Sequence, residues 1–230
     1  MDKREIIGRI LDKEFVMFHA VNGDGKKAAC QNDRKTFDMM RYAQFDAWSE
    51  EACRSYLEDV EQAEREGRNI CAEKYIHMMK STDILQYERL KDLVRFPDER
   101  GRELAELIVG KMVRQTEALF QRYPYVSGAG RPLYSSQDLG GTTSIETYQR
   151  GELLTYSTRT LELLYKHLCS LEEQGIALAE KILEGSVCSY GYKSLEEAEA
   201  ETRKRAEAMG IEISYGCPRC AEGDPGLGVV

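Results

Sequence analysis

The chain has 230 residues, enough for one domain of ordinary size with a small appendage. Hydrophobic residues make up 42% of it, which suffices for a core, and a net charge of −8 argues against the basic footprint that nucleic-acid binding requires. No apolar run reaches the length of a membrane span, and residues 1–5 lead into an amphipathic stretch rather than a signal-peptide core. The seven cysteines are scattered without framework spacing. A cytoplasmic protein with reduced thiols is expected, with neither nucleic acid nor membrane as partner.

Helical periodicity then runs through most of the chain. Residues 4–21 carry Ile6, Ile7, Ile10, Phe15, Phe18 and Val21 on one face, and the Gly-rich loop 22–27 ends it. Asn32 or Asp33 caps a second helix reaching Trp48, and Ser49 caps a third that stops at Gly67. Asn69 opens a shorter helix to about Lys80, and another covers roughly 83–95 before Phe96-Pro97. From Asp98 a long helix reaches Tyr123-Pro124 with Leu104, Ile108, Met112 and Leu119 inward.

Residues 124–143 read as one irregular stretch, which in a compact domain is usually functional or mobile. Thr143-Ser144-Ile145-Glu146 fits a capping box, so a helix is expected to start there and run on toward Gly175. A further helix spans about 176–189, and a second capping box at Ser194 opens a polar helix that stops at Gly210. Residues 211–215 look like a short strand before a Gly/Pro tail. The expected fold is all-α: one multi-helix bundle over 1–210, with an irregular cysteine-containing extension over 211–230. Sliding 36–69 onto 144–177 sets Gln44 on Glu152, Trp48 on Tyr156, Ser49 on Ser157 and Gly67 on Gly175. Two half-repeats, at about 5–80 and 100–190, are therefore a further expectation.

Charges on apolar faces mark the candidate site, because a charge facing a core is costly unless paired or used. With 144–175 treated as one helix, Ile145, Leu153, Leu154, Leu161, Leu164 and Leu168 define an arc whose centre holds Glu146 and Arg150. Glu14 sits inside the arc of the first helix, and Arg41 and Gln44 lie among Phe37, Met40, Ala47 and Trp48 in the second. Tyr148, Glu152 and Tyr156 form an i, i+4, i+8 row beside them.

Two readings follow. In one, a polar pocket at the bundle centre binds a small anionic molecule, as helical bundles commonly do. Arg41, Gln44, Trp48, Arg131, Tyr148, Arg150, Glu152 and Tyr156 then line it, and the arginines clamp a carboxylate or phosphate. Glu146 or Glu14 is the general base if the protein is an enzyme. In the other reading Arg41 and Arg150 neutralise Glu14 and Glu146, the network only fixes helix register, and the protein is a non-catalytic adaptor or regulatory subunit. The N-terminus of the helix following Arg131-Pro132 is an additional place for an anion.

Metals fit less well. Glu73 precedes His77 by four residues, where bundle di-iron sites use Glu-x-x-His. An all-oxygen magnesium site at Glu14, Glu146 and Glu152 is opposed by two arginines on the same faces. Cys217-Pro218-Arg219-Cys220 has the knuckle spacing of a zinc site, but one such pair supplies half the ligands.

Lys13-Glu14-Phe15 with Met17-Phe18, Cys30-Gln31-Asn32-Asp33, the stretch 41–48, Ser55-Tyr56-Leu57, Arg131-Pro132 and the run 144–157 together resemble a bacterial family catalogued as a domain of unknown function. Its members are all-helical and sometimes fused to a nucleotidyltransferase-like domain. The resemblance covers about 1–200 and leaves Cys217 and Cys220 outside. It implies no established activity, and the fusion habit implies a link to nucleotide or small-molecule modification by association only.

Overall fold

Short polar side chains start most of the helices, each taking up a backbone N–H that the first turn leaves unpaired. The computed structural model describes residues 1–21, 29–128, 130–139 and 142–211. In chain order the α-helices are α1 (Lys3–Ala20), α2 (Arg34–Asp46), α3 (Glu50–Arg65), α4 (Ile70–Thr82), α5 (Ile84–Leu90), α6 (Glu99–Arg122), α7 (Pro124–Ser127), α8 (Ile145–Leu153), α9 (Thr158–Glu173), α10 (Leu178–Ser189) and α11 (Leu195–Ala208). Asp33, Ser49, Asn69 and Asp98 cap the helices that follow them, as their sequence positions suggest. The fold among the described residues is all-α, with Leu139 and Thr142 forming an isolated bridge. None of these helices is long and apolar enough to cross a membrane.

Several boundaries differ from expectation. The helix expected over 83–95 is α5 followed by a 3-10 turn at Lys91–Leu93. The irregular stretch contains α7 and a 3-10 turn at Ser135–Gln137. The helix expected to run from Thr143 toward Gly175 is two helices. Ser144, not Thr143, caps α8, and Ser157 caps α9 by accepting from Thr160 N. Residues 154–157 break the chain between them. The strand expected at 211–215 and the Cys217/Cys220 tail lie outside the described residues, apart from Ile211.

Packing pairs α4 with α8, α2 with α10 and α3 with α9, while α1 covers α3 and α6 covers α9. Ile6, Ile10, Phe45, Val60, Ile108 and Leu161 are fully buried between these layers. The register that lays 36–69 on 144–177 also lays Glu50–Arg65 on Thr158–Glu173 and the start of α4 on the start of α10. Both α3 and α9 end in a Schellman turn: Arg68 N donates to Ala63 O around Gly67 at φ 69°, and Ile176 N to Leu171 O around Gly175 at φ 73°. At the α4–α8 contact a Cβ on Gly151 would lie 2.7 Å from Met78 Cγ and 3.0 Å from the Lys74 carbonyl oxygen, so only glycine permits this approach.

Candidate functional site

The buried stripe of α1 runs through Ile6, Ile7, Ile10, Leu11 and Met17, and Glu14 falls within it. A carboxylate so placed must find partners from neighbouring helices. Arg41 of α2 supplies two hydrogen bonds, Nη2 to Oε1 at 2.6 Å and Nε to Oε2 at 2.9 Å, and Tyr56 Oη of α3 donates at 2.5 Å. Arg41 Nη1 also donates to Glu152 Oε1 of α8 at 2.8 Å and to Gln44 Oε1 at 2.7 Å. Glu152 Oε1 further accepts from Gln44 Nε2 at 2.8 Å and Tyr156 Oη at 2.6 Å. Lys74 Nζ of α4 reaches Tyr148 Oη at 2.7 Å and Glu152 Oε2 at 3.4 Å. The side chains of Glu14, Glu152 and Arg41 are only 3%, 8% and 11% exposed.

Two carboxylates thus face two cations, and the cluster is neutral. Four of the five guanidinium N–H groups of Arg41 are used inside the chain. Burial alone would raise the Glu152 carboxyl, but the charges of Arg41 and Lys74, with hydrogen bonds from Tyr156 and Arg41, hold it well below the usual carboxylate range. Burial would likewise lower the Lys74 ammonium, and contact with Tyr148 and Glu152 raises it instead. Burial pushes the Tyr56 and Tyr156 phenols upward, reinforced by Glu14 and Glu152 respectively. Glu152, Lys74 and both tyrosines therefore keep a fixed protonation state near neutral pH, the opposite of what proton transfer requires.

Sequence reasoning placed Glu14, Arg41, Gln44, Glu152 and Tyr156 correctly inside, and the structure brings them into contact. Trp48 is also buried, but it packs in the adjoining aromatic cluster, with ring centroids 6.0 Å from Tyr56 and 5.9 Å from Tyr156. Glu146 and Arg150 require correction. They pair with each other at 2.8 Å on a half-open flank of α8, where Glu146 Oε2 accepts from Ser135 N and Arg150 Nε donates to Glu106. The break at 154–157 is the reason. Leucines of α9 cannot define the inner face of α8, and the face that α8 actually buries runs through Thr147, Gly151 and Glu152. Arg131 is exposed, donates to Thr143 O at 3.0 Å and lies 5.0 Å from the Tyr148 ring centroid. The N-terminus of α8 offers an anion nothing. Ile145 N and Glu146 N donate to Pro132 O and Leu133 O, and Thr147 N to Ser144 Oγ.

Tyr56 and Lys74 escaped the sequence reading. Lys74 was within reach of the same wheel arithmetic, since α4 buries Ile70, Cys71, Lys74, His77 and Met78 along one stripe. Among the described residues no group of three or more His, Cys, Asp and Glu side chains is placed to hold a metal ion. Glu14 and Glu152 are bridged by Arg41, and Glu146 lies apart from them, so the three carboxylates do not share a magnesium position.

Residues 4–200 match a family described as Protein of unknown function (DUF4125). The chain belongs to this family. No curated protein and no solved structure matches it. Every member of the ion network lies within the stretch matched to DUF4125, whereas Cys217 and Cys220 fall beyond both that stretch and the described residues.

Proposed function

We propose that the chain is a non-catalytic adaptor or regulatory module, in which the ion network sets how five segments meet and a protein partner is bound on the outside. The observation that carries this reading is the occupancy of Arg41. Its donors go to Glu14, Gln44 and Glu152, so an incoming carboxylate or phosphate would first have to displace a buried glutamate. Breaking such a pair is strongly unfavourable. The outer face with the best claim to a partner is α5 and the turn after it. Leu85 and Leu93 are 73% and 70% exposed there, and Ile84 and Phe96 are exposed as well. Large apolar side chains gathered on one exposed segment are a mark of interaction surfaces. A cytoplasmic location belongs to the same proposal, since a reducing compartment suits the buried thiols of Cys53 and Cys71, which burial pushes up to about 12.

The test compares the wild-type chain with Leu85→Glu/Leu93→Glu as immobilised bait in extract of the source cells. Both positions are exposed, so the variant keeps its stability to within about 0.5 kcal/mol. A defined protein retained by the wild type and lost from the variant is the expected result. Identical retention by both baits, or a metabolite that the wild type turns over, would overturn the reading.

A further inference from the structure

The network closes tightly around Arg41 but not around Lys74. A buried ammonium has three donors to satisfy. Lys74 has one short bond, to the Tyr148 hydroxyl at 2.7 Å, and one long approach to Glu152 Oε2 at 3.4 Å. Glu152 directs its stronger interactions elsewhere, because Oε1 takes Arg41, Gln44 and Tyr156, all within 2.8 Å. The Lys74 side chain is 11% exposed. The Arg131 guanidinium lies 5.0 Å from the Tyr148 ring centroid, and Lys74 Nζ is 4.2 Å from it. Arg131 has a single hydrogen bond, to a backbone carbonyl, and no carboxylate partner among the described residues. Two cations therefore lie against one half-buried tyrosine, and among the described residues neither has a full set of acceptors.

We propose that the corner formed by Lys74, Tyr148 and Arg131 is a binding point for a small carboxylate. A carboxylate there completes the Lys74 donor set and takes hydrogen bonds from the guanidinium, which matches its planar geometry. Charge selects a monoanion. Glu152 already lies 3.4 Å from Lys74, and a phosphate dianion would meet more repulsion from it than a carboxylate does. Of the nearby acids, Glu146 is paired with Arg150, whereas Asp138 accepts only from the neutral donors of Ser81, Ser144 and Thr147, and its charge adds to the repulsion of a dianion. This site is separate from the α5 surface and stands or falls independently of it.

The experiment is an NMR titration of the full chain with acetate, succinate and inorganic phosphate, each against sodium chloride at equal ionic strength. Acetate is expected to move the Tyr148 ring and Lys74 side-chain signals saturably, with the dianions succinate and phosphate at least 5-fold weaker. Arg131→Gln changes an exposed residue and leaves the fold intact, and it should weaken acetate binding about 5-fold or more. Tyr148→Phe keeps the ring, removes the hydroxyl and should shift the Lys74 signals even without ligand. Shifts no larger than those from chloride, or equal acetate binding by Arg131→Gln and wild type, would overturn the proposal. Phosphate binding as tightly as acetate would overturn the charge argument.

Discussion

Replacing Arg41 by methionine removes the one cation that touches both buried carboxylates. The variant loses two hydrogen bonds to Glu14, one to Glu152 and one to Gln44. Tyr56 still serves Glu14, while Gln44, Tyr156 and Lys74 still serve Glu152. The cluster is left with two negative charges and one positive. Removing one partner of a buried ion pair costs about 3–5 kcal/mol, against a total stability of about 5–15 kcal/mol for a domain. For a chain of this size the melting temperature should fall by roughly 6–20 °C. Urea unfolding is read through Trp48, the only tryptophan, whose ring packs on Tyr56 and Tyr156 and so reports on the network itself. Adding Glu14→Gln removes the stranded charge and should recover at least half of the loss, giving a double-mutant coupling above about 1.5 kcal/mol. A loss below about 1 kcal/mol for Arg41→Met, as exposed pairs show, would refute the reasoning. So would additivity of the two substitutions within about 0.5 kcal/mol.

Glu146→Gln, on the half-open flank, should cost no more than about 1 kcal/mol in the same urea assay, which separates it sharply from Arg41→Met. Gly151→Ala should lower stability by about 1–3 kcal/mol, because its Cβ runs into Met78 and the Lys74 backbone; an unchanged unfolding midpoint would contradict the α4–α8 contact. His77 Nε2 donates to the Arg95 carbonyl at 3.2 Å, leaving Nδ1 buried without a partner among the described residues. Burial lowers its pKa from 6.5 to about 4, with Lys80 adding repulsion and the Arg95 carbonyl opposing the shift. The unfolded chain then takes up the proton first, so the stability His77 contributes is complete above pH 6.5 and is lost as the pH falls toward 4. The loss across that window should be about 1–3 kcal/mol, and His77→Gln should flatten it in urea curves taken at several pH values.

The helix starts were legible because caps are local. Asp33, Ser49, Asn69 and Asp98 each act on an N–H two or three residues ahead, and no tertiary contact is needed to read them. Glu14, Arg41 and Gln44 were legible for a related reason, since each lies on a helix whose bounds were read nearly correctly and the wheel kept its phase. Glu146 and Arg150 went astray where that condition failed. Ser157 starts a new helix, and a phase carried across 154–157 assigns the wrong face to α8. The clue was present in the register that sets Ser49 on Ser157, because Ser49 was already recognised as a cap. Closure of the network was not legible at all. Whether Arg41 has a donor to spare depends on Glu14 and Glu152 arriving from α1 and α8, and periodicity along one helix carries no information about those distances.

The most direct test of a closed interior is the NMR spectrum of the Arg41 guanidinium in the uniformly ¹⁵N-labelled chain. A group held by Glu14, Gln44 and Glu152 should show separate, slowly exchanging Nη proton signals at neutral pH. A single averaged, fast-exchanging signal would contradict the account.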